Sequence, residues 1–236
     1  MRGEVDIAVH SMKDLPVAIP EGLRLAAVSR REDPRDALVS REGFILENLP
    51  KGAKIGTSSL RRSAQLLHLR RDLQVADLRG NLDTRVKKME QGLYVAIVLA
   101  CAGIKRLGLN LRMSPLPIDQ ILPQAGQGAL GMEIRCDDRE AENLTRAVDD
   151  PETHSCVEAE RSLLLGLGGG CQLPIGVYAR LEHGQIFLKA GAFSPDGKAA
   201  LYGDCAGAKE DGRGVGRKLA GILLKQGARQ VLIQAH

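Results

Sequence analysis

The sequence predicts an α/β protein with two lobes, followed by a small C-terminal α+β domain. Three observations support this fold class. In the first part of the chain, short apolar runs alternate with segments of helical periodicity, which predicts βαβ units and a parallel sheet. Two segments interrupt this pattern, the polar residues 29–36 around Asp33 and the Gly-rich residues 122–130 around Gln127. Each is predicted to carry the chain from one lobe to the other, and they are called the first and second crossings. Near the C-terminal end, three strand-like runs separated by turn residues predict an antiparallel sheet.

Composition places the chain among soluble globular proteins and excludes several functions. It has 236 residues, of which 44% are hydrophobic and 26% charged. No run approaches the roughly 18 apolar residues of a membrane span, and no apolar signal-peptide core is present. We therefore predict a cytoplasmic protein without a membrane partner. Aromatic residues make up only 3% and the net charge is +4, which argues against a nucleic-acid partner because single-strand binding needs exposed rings.

The first strand candidate leads directly into a polar cluster. Val5 to His10 is a nearly continuous apolar run, the pattern of a strand buried in a parallel sheet. Ser11, Lys13 and Asp14 follow it, at the end of the strand where open α/β sheets bind ligands. They are therefore site candidates, and the alternative is a solvated loop pair.

The two crossings define the expected domains. Leu23 to Val28 is a second strand, and a charged segment carries the chain past Asp33 into the next apolar run. A Gly-rich segment around Gln127 returns it to a strand from Ala129 to Ile134. Its GxG lacks the third glycine of a dinucleotide loop, so a hinge fits better. We expect residues 1–32 and 124–147 in the first lobe, 33–123 in the second, and 148–236 in the C-terminal domain.

A helix is predicted to begin close to Leu60, because Leu60, Ala64 and Leu67 recur at helical spacing and three possible N-caps, Thr57, Ser58 and Ser59, precede it. Arg61 and Arg62 lie in its first turn, where the helix dipole disfavours cations. An anionic ligand would resolve this conflict, so we expect both arginines to bind a ligand rather than support the fold. The alternative is a solvated helix end.

Further arginines follow later strands. Leu73 to Leu78 is a strand candidate, a helix ends at Gln91-Gly92, and Val95 to Ala100 is a very apolar strand. Arginines stand at or soon after the C-terminal ends of strands, on the side of the sheet where Arg61 and Arg62 are expected. Because the guanidinium fork matches carboxylate and phosphate alike, this set predicts a polyanionic ligand. The additional members are Arg79, Arg85 and Arg106.

The C-terminal part changes character. A helix is predicted from Pro151 to Leu165, with the proline at its first position. Three strand candidates separated by hairpin signals follow, and a helix from about Gly214 to Leu224, ended by Gly227, closes the domain. The strand candidates are Val177 to Leu181, Gln185 to Ala192 and Ala200 to Cys205.

One cysteine stands out among five. The others (101, 136, 156 and 205) are widely spaced without a CxxC pair, so neither a disulfide framework nor a zinc site is predicted, and we expect no metal. Cys171 follows Gly168-Gly169-Gly170 and precedes Pro174, a loop suited to presenting its sulfur. An ordinary helix-ending turn with a buried cysteine as apolar filler is the alternative.

Five motifs occur in order along the chain: residues 6–14 (DIAVHSMKD), 56–62 (GTSSLRR), 78–81 (LRGN) with Thr84-Arg85, 126–128 (GQG) and 169–176 (GGCQLPIG). Together they resemble the hydroxymethylbilane synthase family, also called porphobilinogen deaminases. The resemblance implies two periplasmic-binding-protein-like lobes, the first incomplete, and an α+β domain carrying a dipyrromethane cofactor bound to Cys171 by a thioether. It implies a transferase that deaminates four porphobilinogen molecules and joins them head to tail on this cofactor, giving hydroxymethylbilane.

The resemblance also implies roles for the candidate residues. Asp14 corresponds to the catalytic aspartate, which stabilises the positive charge that develops on pyrrole nitrogens as ammonia leaves. The arginines are expected to bind the acetate and propionate groups of the growing chain, and the protein is expected to be a monomer. The implied cofactor and substrate contacts are Ser11, Lys13, Thr57, Ser58, Ser59, Arg61, Arg62, Arg79, Gly80, Arg85, Arg106 and Gln127.

One departure from the family pattern is large. The family has an N-terminal segment of several dozen residues that completes the first lobe, and this sequence begins near its end. We therefore expect an incomplete first lobe and no turnover by the chain as written. The alternatives are an inactive fragment of the enzyme and a non-catalytic two-lobed polyanion-binding protein. A nucleic-acid binder using the same arginines is a further rival, which the low aromatic content opposes.

Overall fold

A computed structural model describes residues 4–169 and 172–233, and within them it contains three β-sheets. The strands are β1 (Ile7–Ser11), β2 (Leu23–Val28), β3 (Asp36–Val39), β4 (Lys54–Gly56), β5 (Gln74–Ala76), β6 (Ala96–Ala100), β7 (Met113–Pro115), β8 (Leu130–Arg135), β9 (Ile175–Glu182), β10 (Gln185–Phe193) and β11 (Ala200–Ala208). The α-helices are α1 (Leu60–Leu69), α2 (Leu82–Glu90), α3 (Cys101–Arg106), α4 (Arg139–Thr145), α5 (Pro151–Gly166), α6 (Gly212–Lys225) and α7 (Ala228–Ile233).

The first sheet has the strand order β1-β8-β2, with β8 antiparallel to both neighbours. The prediction that the first strand is buried in a parallel sheet is wrong. Its pairing partner, β8, follows the second crossing and runs antiparallel to β1. Strand β1 lies at the edge of this sheet. The side chain of Val9 is 61% exposed. An apolar run therefore does not by itself show that both faces of a strand are covered.

The second sheet has the order β5-β4-β6-β3-β7. Strands β5, β4 and β6 are parallel and are connected through helices α1 and α2, which confirms the predicted βαβ units. Strands β3 and β7 pair antiparallel, so the sheet is mixed rather than purely parallel. Apolar clusters cover both faces of the sheet: Leu38 and Ile55 belong to one cluster, while Val39 and Ile97 belong to the other.

The third sheet is the predicted three-stranded antiparallel one, with β10 between β9 and β11. Helices α5 and α6 pack on it and bury its apolar face. Asp150 caps α5 by accepting a hydrogen bond from the Thr153 amide, and Pro151 occupies the first turn as predicted. Helix α7 was not predicted from the sequence.

The two crossings lie side by side and bond to each other. The Glu32 amide donates to the Gly128 carbonyl at 2.9 Å, and a Cβ on Gly128 would collide with the Glu32 carbonyl oxygen. Gly128 also has a positive φ of 94°, so its lack of a side chain permits both the turn and the close approach. Among the described residues, no helix is long and apolar enough to span a bilayer.

Candidate functional site

A fully buried carboxylate, Asp36, lies at the centre of the candidate site. It is the first residue of β3 and its exposure is 0%. Its Oδ2 accepts from Arg61 Nη1 at 2.8 Å, while its Oδ1 accepts from Arg62 Nε at 3.0 Å and Nη2 at 2.6 Å. Gln127 Nε2 donates to the same Oδ1 at 2.9 Å. One acidic side chain therefore joins the start of α1 to the second crossing.

The local sequence explains how the two arginines reach Asp36. Ser59 is the residue that caps α1, because its hydroxyl accepts from the Arg62 amide, so the helix begins at Leu60 as predicted. Arg61 and Arg62 are 3% and 6% exposed. The solvated-helix-end alternative is therefore excluded. The expectation that these arginines do not support the fold is also wrong, because Asp36 supplies a buried anion for both; ligand binding by them stays a prediction.

Burial and neighbouring charges within this cluster shift the pKa values of Asp36 and Arg61. Burial alone would raise the pKa of Asp36, but the charges of Arg61 and Arg62, and their hydrogen bonds, outweigh it and hold that pKa well below its usual range. Burial lowers the pKa of Arg61, an effect that Asp36 opposes and Arg62 reinforces. Arginine nevertheless stays protonated in proteins. The cluster therefore contains two buried cations and one buried anion.

The two guanidiniums differ in how many of their nitrogens have hydrogen-bond acceptors. All three nitrogens of Arg62 have acceptors, because Nη1 donates to the Val98 carbonyl while Nε and Nη2 bind Asp36. Arg61 uses Nη1 for Asp36 and for the Leu122 carbonyl. Its Nε and Nη2 are buried without a hydrogen-bond partner in the described part of the chain, as is Gln127 Oε1. Buried polar atoms without a protein partner are rare, and they mark positions where a ligand can bind.

Lys13 and Asp14 lie in the same electrostatic neighbourhood. Asp14 is exposed, and its amide donates to the Ser11 carbonyl at 2.9 Å, where β1 ends. Burial and then the charge of Arg62 lower the pKa of Lys13, whereas Asp14 and Asp36 raise it. Burial and Arg62 also lower the pKa of Arg85, and Asp14 raises it. Lys13 and Arg85 thus both experience the charges of the buried Arg62 and of Asp14.

Other predicted site residues have more varied surroundings. Arg79 is exposed and pairs with Asp77, and Arg85 Nε donates to the carbonyl of Gly80, whose φ is 121°. Arg106 Nη2 donates to the Gly128 carbonyl at 2.8 Å, so this arginine holds a crossing. Of the five arginines expected to converge, Arg61 and Arg62 meet at Asp36, and the charge of Arg62 acts on Arg85; their joint binding of a ligand stays a prediction.

The remaining predicted residues near α1 also differ from one another. Thr57 is buried and its hydroxyl accepts from the Ser59 amide at 3.2 Å, whereas Ser58 is exposed. Of the three hydroxyls, that of Ser59 therefore caps the helix and that of Thr57 stabilises the turn before it. Ser58 keeps its side chain in solvent, where a ligand could reach it.

The cysteines divide by environment. Burial raises the pKa of Cys101 to about 11 and that of Cys156 to about 12, as expected of inert core thiols. Cys136 is exposed, so it does not fill space in an apolar core. Cys171, the predicted attachment residue, lies outside the described residues. Within them, no group of His, Cys, Asp and Glu side chains could hold a metal ion.

Asp36 was missed in the sequence because it closes a charged segment that is typical of a solvated crossing. Its position immediately before an apolar strand was the available signal. A carboxylate at the first position of a buried strand needs a buried partner, and Arg61 and Arg62 were the cations without one. Matching the two would have required the strand order, which the sequence pattern does not give.

Two family models match the chain. Residues 1–143 match the model described as porphobilinogen deaminase, dipyromethane cofactor binding domain. Residues 154–225 match the model of the porphobilinogen deaminase C-terminal domain. The boundary between the two matches falls close to the start of α5, the helix that precedes the third sheet and packs on it.

Curated relatives agree with these matches. The porphobilinogen deaminase of Syntrophobacter fumaroxidans is 48% identical over 233 residues, which covers 98% of this chain and 75% of that protein. The porphobilinogen deaminase of Rubrobacter xylanophilus is 49% identical over 232 residues, with the same coverage. A TRAP periplasmic solute binding protein from Desulfovibrio salexigens overlaps 63% of this chain and 55% of its own at 11% identity. Its TM-score of 0.36 is too low to bear on fold or ligand.

Proposed function

The chain belongs to the porphobilinogen deaminase family, and we propose that it works as the family's transferase through the arginine cluster around Asp36. Its function lies in tetrapyrrole biosynthesis, where four porphobilinogen molecules are deaminated and joined head to tail to give hydroxymethylbilane. Family membership does not favour the alternatives of an unrelated polyanion-binding protein or a nucleic-acid binder. What we propose is which residues of this chain carry out that chemistry.

The observation that carries this proposal is the unequal satisfaction of the buried arginine pair. Two guanidiniums share one carboxylate, so the cluster keeps an unbalanced positive charge, and Arg61 keeps two buried nitrogens without a partner in the described residues. Burying an unpaired charge or donor costs several kcal/mol unless a ligand completes it. Carboxylates suit a guanidinium fork, and each pyrrole of the substrate carries an acetate and a propionate.

The same residues fit the dipyrromethane cofactor of the family's domain. A carboxylate of this cofactor or of a substrate joined to it would complete the unpartnered donors of Arg61, and Lys13 and Arg85, which experience the charge of Arg62, would add positive charge. When bound, this cofactor supplies the pyrrole carbon to which the first substrate is joined. We propose Cys171 as its attachment residue, since no other cysteine stands in a Gly-rich loop of the family motif.

Asp14 is the proposed catalytic residue. It is exposed in the turn that follows β1, and its charge raises the pKa of both Lys13 and Arg85. A fixed negative charge here would stabilise the positive charge that develops on a pyrrole nitrogen while ammonia leaves. Lys13 and Arg85 would hold the substrate carboxylates, and Ser11 would orient the loop.

Several further properties stay proposals. We infer a three-domain division into residues 1–32 with 124–147, 33–123 and 148–236, supported by the three sheets that fall within these segments. We also infer a cytoplasmic monomer that acts on a small molecule, without a nucleic-acid or membrane partner.

The test combines covalent mass with ligand binding. After incubation with porphobilinogen, the intact mass of the protein should exceed that of the bare chain by two pyrrole units. Cys171→Ser should lack this increment, whereas Cys136→Ser, the exposed control, should keep it. Calorimetry should also detect porphobilinogen binding by the purified chain.

Failure of the wild-type chain to bind porphobilinogen or to gain mass would contradict the proposal. Hydroxymethylbilane formation, measured on the same preparation, then separates an active enzyme from the inactive-fragment alternative. A mass increment that persists in Cys171→Ser would instead move the attachment to another residue.

A further inference from the structure

Asp36 acts at the candidate site only through other side chains. It is fully buried and both of its oxygens already accept hydrogen bonds from side chains, so it offers a ligand no unpaired atom. Its four hydrogen bonds come from Arg61, Arg62 and Gln127, all of which are themselves buried. Whatever Asp36 contributes to binding must therefore be transmitted by the geometry or the charge of these three residues.

The division of hydrogen bonds around Asp36 is asymmetric. Oδ1 accepts both hydrogen bonds from Arg62 and the one from Gln127, whereas Oδ2 accepts a single one from Arg61. Arg61 Nη1 is shared with the Leu122 carbonyl at 2.7 Å, which fixes the plane of its guanidinium from a second direction. The other two nitrogens of Arg61 then stay without a partner in the described chain.

We propose that Asp36 is a positioning residue: it anchors Arg61 by one nitrogen, so that Nε and Nη2 are held ready for a ligand carboxylate, and Gln127 fixes Asp36 in turn. This inference rests on the proposed function for the identity of the natural ligand, but not for the geometry. The Gln127 side chain also donates to the Pro34 carbonyl at 2.7 Å, so the orientation of Asp36 is tied to both crossings.

The positioning role and a purely electrostatic role predict opposite changes in anion affinity when Asp36 is replaced. If the carboxylate only neutralised the arginines, Asp36→Asn would make the cluster more positive, and an anion would bind more tightly. If the carboxylate positions Arg61, the same substitution releases the guanidinium, and an anion binds more weakly despite the added positive charge. Anion affinity therefore distinguishes positioning from neutralisation.

The probe is citrate, a tricarboxylate without a pyrrole ring, titrated into the full chain by calorimetry at constant ionic strength. Asp36→Asn should weaken citrate binding by about tenfold or more, the range for losing a hydrogen bond to a charged group. Asp72→Asn is the matched control. Asp72 also binds an arginine, Arg70, through two hydrogen bonds of 2.8 Å, but it lies at the far end of α1, and its loss should leave citrate binding unchanged.

A second variant covers the case in which Asp36→Asn does not fold. Gln127→Met removes the neutral donor to Asp36 and keeps both arginine pairs, so it should fold, and it should weaken citrate binding about threefold. Thermal unfolding by circular dichroism reports which variants are folded. Citrate binding that is unchanged or tighter in the folded variants overturns the proposal, as does a wild-type chain that does not bind citrate.

Porphobilinogen titrated in parallel keeps the two proposals apart. A wild-type chain that binds citrate in an Asp36-dependent way but not porphobilinogen would contradict the proposed function and support the positioning role. For a chain that turns over substrate, Asp36→Asn should raise KM while kcat changes little, because the arginine contact is made in the ground and transition states alike. A merely structural role would reduce the active fraction and leave KM unchanged.

Discussion

The carboxylate of Glu160 on α5 accepts a hydrogen bond from the Gly126 amide in the second crossing, at 2.7 Å. The same fully buried carboxylate accepts from Arg31 Nη1, in the first crossing, at 2.6 Å and from the Ala179 amide on β9 at 2.8 Å. One side chain of the C-terminal domain thus holds both crossings. Arg31 completes this arrangement by donating from Nε to the Gln127 carbonyl.

We expect Glu160→Gln to destabilise the protein, because its amide would place donors opposite donors and leave Arg31 without a buried counter-charge. Breaking a buried ion pair of this kind costs about 3–5 kcal/mol. Glu158→Gln on the same helix removes an ion pair with the largely exposed Arg213 and should cost about 1 kcal/mol or less. Chemical denaturation of both variants measures the difference, and equal stabilities would refute the structural role of Glu160.

Arg62→Leu should lower the free energy of unfolding more than Arg61→Leu. Arg62 donates twice to Asp36 and once to the Val98 carbonyl, so its loss removes the main compensation of a buried charge. The expected cost is about 3–5 kcal/mol. Arg79→Leu, an exposed control, should change stability by no more than about 0.5 kcal/mol. Thermal unfolding of the three variants checks this order, and an unaltered midpoint for Arg62→Leu would argue against it.

Acid should weaken the first crossing through Asp33. Hydrogen bonds from the side chain of Arg35, and further ones from its amide and from Lys105, lower the pKa of Asp33 to about 2. Because the folded-state pKa lies below the usual value of about 3.9, the contribution of Asp33 to stability is present above about pH 4 and is lost as pH falls toward 2. The stability difference between the wild type and Asp33→Asn should therefore shrink over that interval. A difference that stays constant from pH 5 to pH 2 would contradict this assignment.

Asp14→Asn should impair chemistry without affecting the fold. Asp14 is exposed, and substitutions at exposed positions usually change stability by no more than about 0.5 kcal/mol. Removing one preorganised electrostatic group typically lowers the rate by about 10²–10³. Asp204→Asn, an exposed aspartate on β11, serves as the control and should retain full turnover. Steady-state formation of hydroxymethylbilane by an active preparation measures both, and near-normal turnover by Asp14→Asn would assign the catalytic role elsewhere.

The sequence predicted those parts of the fold that local patterns determine. The hairpin residues around His183 and the Ser194-Pro195-Asp196-Gly197 turn determined the third sheet, and the cap at Ser59 determined the start of α1. Strand direction was predicted less well, because β3, β7 and β8 run opposite to their neighbours for reasons that depend on the crossings. Strand β7 has only three residues, too few to show a period.

The candidate site was predicted by residue type but not by geometry. The conflict between a helix start and two arginines predicted an anionic ligand and did not predict a carboxylate of the chain itself. The structure shows that Asp36, a residue of the chain itself, is an anion beside both arginines, because folding brings the start of β3 next to α1. A pattern read along the sequence shows that a charge lacks a partner, but the partner is defined only once the strand order is known.

The sharing of Asp36 between Arg61 and Arg62 also limits how this sequence can evolve. Substitutions at the three positions are not independent, since changing one alters the cost of changing either of the others. Replacing the carboxylate first would leave two buried cations without a counter-charge, and replacing both arginines first would leave a buried anion without one. A lineage that abandons this cluster would have to pass through one of those intermediates or exchange the residues together, so the three positions should be gained and lost as a set.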